Sequence, residues 1–158
     1  MNSHRILALD VGDRRIGLAI SDPLGIIAQP LFTVHRTTPH ADLKAIARWI
    51  RKHEVASLVV GLPLHADGSR SAQAEKTEAF AAVLFAQHPT LEHHLLDERL
   101  TTREAHALLD ASGKHRGGAA ERRTRQEHID QVAAVLLLEA FLSRLNGPAL
   151  LPDPDDAP

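Results

Sequence analysis

Ile6-Leu7-Ala8-Leu9-Asp10-Val11-Gly12-Asp13 followed by Arg15-Ile16-Gly17-Leu18-Ala19-Ile20-Ser21-Asp22 decides the fold of this chain. Two short apolar runs separated by a glycine turn form a β-hairpin, and the first run ends in a carboxylate. A charge delivered by a buried strand is unfavourable unless it is paired or bound to a cation. An isolated Asp-x-Gly is more often a turn aspartate that caps local backbone, so the rest of the chain must decide what Asp10 does.

Outward from the hairpin, Pro23 and Gly25 break the chain, and a third extended run covers roughly residues 26–34, with Pro30 marking an irregular or edge strand. Thr38-Pro39 starts a helix with an N-cap threonine and a first-turn proline. Its apolar positions Leu43, Ile46, Ala47 and Ile50 repeat at helical spacing. Leu58-Val59-Val60-Gly61 reads as a strand buried on both faces. A helix over residues 71–87 follows, with Phe80, Val83 and Leu84 turned inward. His94-Leu95-Leu96 is a fifth strand that stops at Asp97-Glu98. Thr101-Thr102-Arg103-Glu104 and Thr124-Arg125-Gln126-Glu127 are capping boxes that open two further helices. The last helix carries Ile129, Val132, Ala133, Leu136, Leu137, Ala140 and Phe141 as its apolar stripe. The expected fold is α/β: a mixed five-stranded sheet, its first three strands an antiparallel meander, with helices on both faces.

The chain has 158 residues, which suits one domain, expected over residues 1–145, followed by a disordered Pro- and Asp-rich tail over 146–158. It has no cysteine, which excludes disulfides, thiolate catalysis and thiolate-bound zinc. Only 3% of residues are aromatic, which argues against base-stacking platforms. No apolar run is long enough to span a bilayer and none resembles a signal peptide, so the expected location is the cytoplasm. Net charge is −2, but Lys114, Arg116, Arg122, Arg123 and Arg125 face a single acid, Glu121, within one short segment.

Open α/β sheets bind ligands beyond the carboxyl ends of their strands. Asp10 ends the first strand, Asp97 and Glu98 end the fifth, and Asp130 stands early in the final helix, where Ala133 and Ala134 permit close approach to the sheet. Carboxylates gathered in one cleft repel one another. Divalent cations remove that penalty, and Mg²⁺ or Mn²⁺ prefer such oxygen donors. Two ions about 3.5–4 Å apart activate water and stabilise the leaving oxygen in phosphodiester cleavage. Asp10, Glu98 and Asp130 are therefore the candidate metal ligands and catalytic residues. Arg15, Ser69, Arg70, Arg99, Lys114, Arg116, Arg122, Arg123 and Arg125 are candidate phosphate contacts. Each has a blander alternative: Arg15 as neutraliser of the carboxylates, Ser69 as a helix cap, the basic run as a solvated loop. Asp22 is expected mainly to shape its turn. His128 and Asp97 are undecided, and Trp49 is expected to pack rather than stack on a base.

Asp10-Val11-Gly12, Arg15-Ile16-Gly17-Leu18-Ala19, Ser21-Asp22, Val60-Gly61-Leu62-Pro63, Asp97-Glu98-Arg99-Leu100-Thr101-Thr102 and Asp130-Gln131-Val132-Ala133-Ala134 together resemble the YqgF family, in the family's order and over about residues 5–142. That family is described as Holliday-junction resolvases and pre-16S rRNA nucleases. The resemblance implies an RNase H-like fold, a divalent metal and a role in maturing the 5′ end of small-subunit ribosomal RNA. It puts Asp10, Glu98 and Asp130 at the family's acidic positions. Bacterial resolvases of the related fold carry a glutamate just after the fourth strand. Here that place is Gly61-Leu62-Pro63, so Glu98 must take over. The expected partners are a structured RNA precursor and ribosomal particles, with branched DNA as the alternative substrate and a monomer or homodimer as the assembly. A non-cleaving ribosome-assembly factor, and an ATP-binding module of the actin and sugar-kinase type, are the readings from other classes. The second lacks a second phosphate-binding glycine motif.

Overall fold

A computed structural model describes residues 3–101 and 118–147. Strands β1 (Ile6–Val11), β2 (Arg15–Ser21), β3 (Ala28–His35), β4 (Ser57–Leu62) and β5 (Glu92–Asp97) form one sheet in the order β3-β2-β1-β4-β5. β1 to β3 are an antiparallel meander, while β4 and β5 run parallel to β1. This is the expected mixed sheet, and it brings the carboxyl ends of β1, β4 and β5 to one end of the molecule. Pro30 lies on the edge strand, beside an irregularity that skips Leu31 in the β2–β3 register. An edge position leaves its missing N–H harmless.

Side chains alternate across the sheet. Leu7, Leu9 and Val11 of β1, with Ile16, Leu18, Ile20, Leu58 and Val60, face helices α1 (Pro39–Lys52) and α2 (Ala72–Gln87), and pack with Leu43, Ile46, Ile50, Phe80 and Leu84. Ile6, Ala8, Ala19, Val59 and Leu96 face the other way, against Ala134, Leu137, Leu138, Phe141 and Leu142 of helix α3 (Ala119–Leu145). Helices thus cover both faces. The same alternation turns Asp10 toward α3.

Helix starts follow capping chemistry. The hydroxyl of Thr38 accepts the N–H of Ala41, and that of Ser71 accepts the N–H of Ala74. Three expectations need correction. α3 begins at Ala119 with Gly118 as N-cap, so Thr124 lies inside it, its hydroxyl donating to the carbonyl of Ala120 rather than capping a new start. The buried stripe of α3 is Ala134, Leu137, Leu138, Phe141 and Leu142, rotated from the expected one, because the helix settles with small Ala134 facing the sheet. Val83 points to solvent at 49% exposure, and Ala81 packs in its stead. Residues 102–104 of the expected capping box, and residues 148–158 of the expected tail, lie outside the described residues. Among the described residues, no helix is long and apolar enough to cross a membrane.

Candidate active site

Asp10 stands between two glycines. Across the antiparallel ladder it pairs with Gly17 of β2, and on its other side, one step beyond the Leu9–Val60 pair, is Gly61 of β4. By strand alternation all three face α3. Each glycine admits one of the other acids. A β-carbon on Gly17 would overlap the backbone carbonyl of Asp130, so the absence of a side chain lets α3 rest directly on the sheet there. A β-carbon on Gly61 would lie 2.6 Å from Glu98 Oε1 and 3.1 Å from its Cγ, so the Glu98 carboxyl occupies the space that a side chain at Gly61 would fill.

Glu98 reaches this place because the chain turns sharply after β5. Residues Glu98–Leu100 form one 3₁₀ turn, with Asp97 as its N-cap accepting the N–H of Arg99 at 2.9 Å. Asp97 also takes the Arg99 guanidinium on both oxygens, at 2.6 Å from Nη2 to Oδ2 and 3.1 Å from Nε to Oδ1. That pairing holds the Asp97 carboxyl below its ordinary range. The hydroxyl of Thr101 closes the turn by donating to the Glu98 carbonyl at 2.6 Å. Asp97 therefore positions Glu98 and does not itself enter the cleft.

Asp10, Glu98, Thr101, Ala133 and Leu137 line one small cavity. There the Glu98 carboxyl is pushed up to about 8, first by desolvation, then by the charge of Asp10 and a hydrogen bond to Asp10, with a smaller push from Asp97. Desolvation and the facing Asp10 carboxyl thus favour the neutral form of Glu98, and the two carboxyls share a hydrogen bond. A shared proton is the ordinary answer of two carboxylates in a poorly solvated site.

Asp130 is placed differently. Its backbone lies on Gly17, but Arg15 Nε donates to Oδ2 at 2.7 Å and Gln126 Nε2 donates to Oδ1 at 3.2 Å. Among the described residues, no group of three His, Asp or Glu side chains is close enough to hold one metal ion. The structure thus brings Asp10 and Glu98 together and leaves the Asp130 carboxylate engaged by Arg15 beside them.

The candidate phosphate contacts divide. Arg15 is committed to Asp130. Arg99 is committed to Asp97 and to the carbonyl of Ala66, and its guanidinium lies over Gly68, whose positive φ of 87° forms the Asp67-Gly68-Ser69 turn. Ser69 bonds to Asp67, at 2.6 Å from its hydroxyl, and it is Ser71 that caps α2. Arg70 pairs with Glu78 at 2.9 Å. Arg123 pairs with Glu127 one turn on, and Arg122 is exposed on the first turn of α3. Arg125 is half-buried on the same helix. Lys114 and Arg116 lie outside the described residues. His128 is exposed on α3. Asp22 is at the opposite end of the sheet from Asp10. It accepts the N–H groups of Leu24, Ile26 and Ile27, which lower its pKa and fix the β2–β3 loop.

Sequence reading missed Arg36 and Asp42. Asp42, 2% exposed, accepts from Arg36 Nε at 3.1 Å and from the N–H of Thr37, and Arg36 Nη1 donates to the carbonyl of Gly12 at 2.8 Å. This network ties the start of α1 to the turn that follows Asp10. An acid in a helix's first turn is commonplace, so no local signal separates Asp42 from a solvated cap.

Comparison with known proteins agrees with this architecture. The family model described as RuvX, Holliday junction resolvase, matches residues 4–144. A relative from Koribacter versatilis named as a pre-16S rRNA nuclease is 46% identical over 143 residues, spanning 89% of this chain and 87% of its own. One of the same name from Moorella thermoacetica is 46% identical over 142 residues, spanning 89% and 96%. Among solved structures, the fowlpox virus Holliday junction resolvase superposes with a TM-score of 0.53 at 12% identity, over 89% of this chain and 99% of that one. At that identity the match speaks for the fold, which is RNase H-like. The sequence match over nine-tenths of the chain speaks for kinship: this protein belongs to the RuvX Holliday junction resolvase family.

Proposed function

We propose that this protein is a divalent-metal-dependent nuclease of the cytoplasm that processes the 5′ end of precursor 16S ribosomal RNA. The observation that carries the proposal is the Asp10–Glu98 pair: two carboxyl groups that line one small cavity at the carboxyl ends of parallel strands, with Glu98 seated in the notch at Gly61. The site fits a hard cation. Its donors are oxygens, and two carboxyls so close oppose each other's charge, which a cation relieves. Asp10 and Glu98 would hold Mg²⁺ or Mn²⁺, with Asp130 as a third donor once Arg15 yields it. Bound there, such a cation supplies an activated water and a counter-charge for the leaving oxygen of a phosphodiester.

The rest of the chemistry belongs to the chain. Arg15 carries its charge between Asp130 and the cleft, where a scissile phosphate offers it a second partner. Arg122, Arg123 and Arg125 line the start of α3 on the approach to Asp130, and with Lys114 and Arg116 are read as contacts to substrate phosphates. The names of the relatives support RNA precursor as substrate, and ribosomal particles as partners belong to the same reading. The family's description keeps branched DNA as the second reading. Cleavage of a junction takes paired incisions by a symmetric dimer, so a monomer in solution argues for RNA.

The test incubates purified protein with precursor 16S rRNA 5′ fragments, and in parallel with four-way junction DNA, in Mn²⁺ or Mg²⁺. Asp10→Asn runs alongside to expose contaminating ribonuclease. Cleavage of the RNA that vanishes in Asp10→Asn and with chelator is the expected result. An unchanged rate in a folded Asp10→Asn protein refutes the site, and cleavage of the junction alone assigns the second reading.

A further inference from the structure

Helix α1 lies on the face of the sheet opposite α3, away from the carboxylates. Its exposed surface carries Lys44, Arg48, Arg51 and Lys52. Its only acid, Asp42, is buried and paired with Arg36. Among the described residues, none of the four bases forms an ion pair. Arg51 and Lys52 complement the helix C-terminus, but Lys44 and Arg48 do not stand in the last turn. Lys44, Arg48 and Lys52 follow at four-residue spacing, each about 6 Å along the axis from the last. Like charges so spaced destabilise an isolated helix, and an anion laid along them relieves that repulsion.

Beside this row is a cleft lined by Phe32, Ala45, Arg48, Trp49 and Lys52. Phe32, of edge strand β3, is 44% exposed, and its ring stands 5.1 Å from that of Trp49, tilted by 38°. The Lys52 ammonium sits over the Trp49 ring at 5.1 Å. Aromatics are scarce in this chain, with one tryptophan and four phenylalanines. Trp49 packs against the core as expected, with His53 stacked on it at 5.7 Å, so Phe32 is the exposed ring of a cleft rimmed by cations; a ring beside cations is the pairing that single-strand binders use, rings for bases and cations for the backbone.

We infer that the α1 face, with Lys44, Arg48 and Lys52 beside the Phe32–Trp49 cleft, is a second nucleic-acid contact that holds a single-stranded segment of the substrate outside the cleavage centre. The inference rests on the nuclease reading and adds a site to it. α1 begins beside the turn that follows Asp10, through the Arg36–Gly12 bond, and runs away from it. A strand lying along α1 therefore extends from the sheet end that carries the carboxylates.

Trp49 is the sole tryptophan, so its emission reports on this cleft alone. The experiment titrates full-length protein with a single-stranded oligouridylate and with a duplex RNA of equal length, in chelator, following both Trp49 fluorescence and probe anisotropy. The expected result is quenching by the single strand, with little by the duplex. Lys44→Glu with Arg48→Glu weakens single-strand affinity about tenfold or more. It also reduces the slope of log affinity against log salt by about 1.4, the loss of two phosphate contacts. Phe32→Ser, checked for folding by circular dichroism, reduces affinity without changing that slope. Asp10→Asn quenches like the wild type while losing cleavage, which separates this site from the catalytic one. Wild-type protein that cleaves RNA with unmoved Trp49 emission, and a double reversal that binds as tightly, overturn the inference and leave the nuclease reading standing. Protein that neither binds nor cleaves RNA overturns both. A Trp49 signal that changes with protein concentration and not with RNA assigns the face to a second copy of this chain and overturns it too.

Discussion

The Glu98 carboxyl lies in the notch left by the missing side chain of Gly61, where a β-carbon would come within 2.6 Å of Oε1. The position at the end of β4 that bears no acid is thus the one that admits the acid following β5. Gly61→Ala forces Glu98 out of the notch, or Leu137, whose methyl would lie 3.0 Å away. Misplacing a reacting group by an ångström lowers rate by about 10²-fold. We expect Gly61→Ala to lose cleavage by roughly that factor and to weaken Mn²⁺ binding in calorimetry, with a melting temperature close to wild type. Full activity in that variant would show that Glu98 is not held here for catalysis.

Gly17→Ala acts on the fold. The obstacle is the backbone of Asp130 itself, which cannot rotate away as a side chain can. Overpacking of a core typically destabilises by about 1–3 kcal/mol, and a clash with helix backbone belongs at the upper end or beyond. Urea denaturation is expected to show that loss, with α3 lifted from the sheet. Cleavage falls with it, because Asp130 rides on the same helix.

These two glycines show what was legible in the sequence and what was not. The strands, the cap at Thr38, the edge position of Pro30 and the convergence of Asp10 with Glu98 follow from local chemistry and strand polarity, whereas the cap of α2 falls on Ser71 and not on Ser69, whose hydroxyl is taken by Asp67. The function of Gly17 and Gly61 is a contact between segments more than 35 residues apart in one case and more than 110 in the other, which no local pattern announces. The same holds for the arginines. A sequence shows a cation near an acid but not its partner, so Arg99 reads as a phosphate ligand until Asp97 is seen to hold it. The start of α3 was misread because Thr124-Arg125-Gln126-Glu127 has the form of a capping box, while the actual start at Gly118 has no side-chain cap to betray it.

The raised pKa of Glu98 has a definite sign in stability. Its carboxyl titrates near 8 in the folded protein against 4.5 unfolded, so between these values the folded state holds a proton that the unfolded state has released. Stability therefore falls as pH rises through this window in metal-free protein. His53 and His88 act oppositely: burial lowers both, so they disfavour the folded state as pH falls below their ordinary value of 6.5 and add nothing above it. The Glu98 contribution is isolated by difference. Glu98→Gln, which stays neutral, is expected to gain stability over wild type from pH 5 to 8.5 in chelator, measured by urea titration. Divalent-metal binding must expel the same proton, so Mn²⁺ affinity rises with pH up to about 8, and calorimetry in buffers of different ionisation enthalpy shows about one proton released. A pH-independent difference between the two proteins would show that Glu98 is ionised throughout.

On the proposed function, Arg15 and a bound cation compete for Asp130. In the structure Arg15 Nε holds Asp130 Oδ2 at 2.7 Å, with the arginine side chain 31% exposed and the aspartate 18%. A hydrogen bond to a charged group contributes about 1.5–3 kcal/mol, and partial exposure puts this one near the lower figure. Arg15→Gln should lower stability by about 1.5 kcal/mol, a loss that salt reproduces only in part because the pair is half-buried. The same variant frees Asp130. If Asp130 joins Asp10 and Glu98 around a metal ion, Mn²⁺ affinity in Arg15→Gln rises by about tenfold, which is what 1.4 kcal/mol of relieved competition amounts to. On the proposed role of Arg15 as a phosphate contact, cleavage falls all the same. Adding Asp130→Asn to Arg15→Gln should then cancel the gain in Mn²⁺ affinity. If Arg15→Gln leaves that affinity unchanged, Asp130 is a partner of Arg15 alone, and the metal belongs to Asp10 and Glu98.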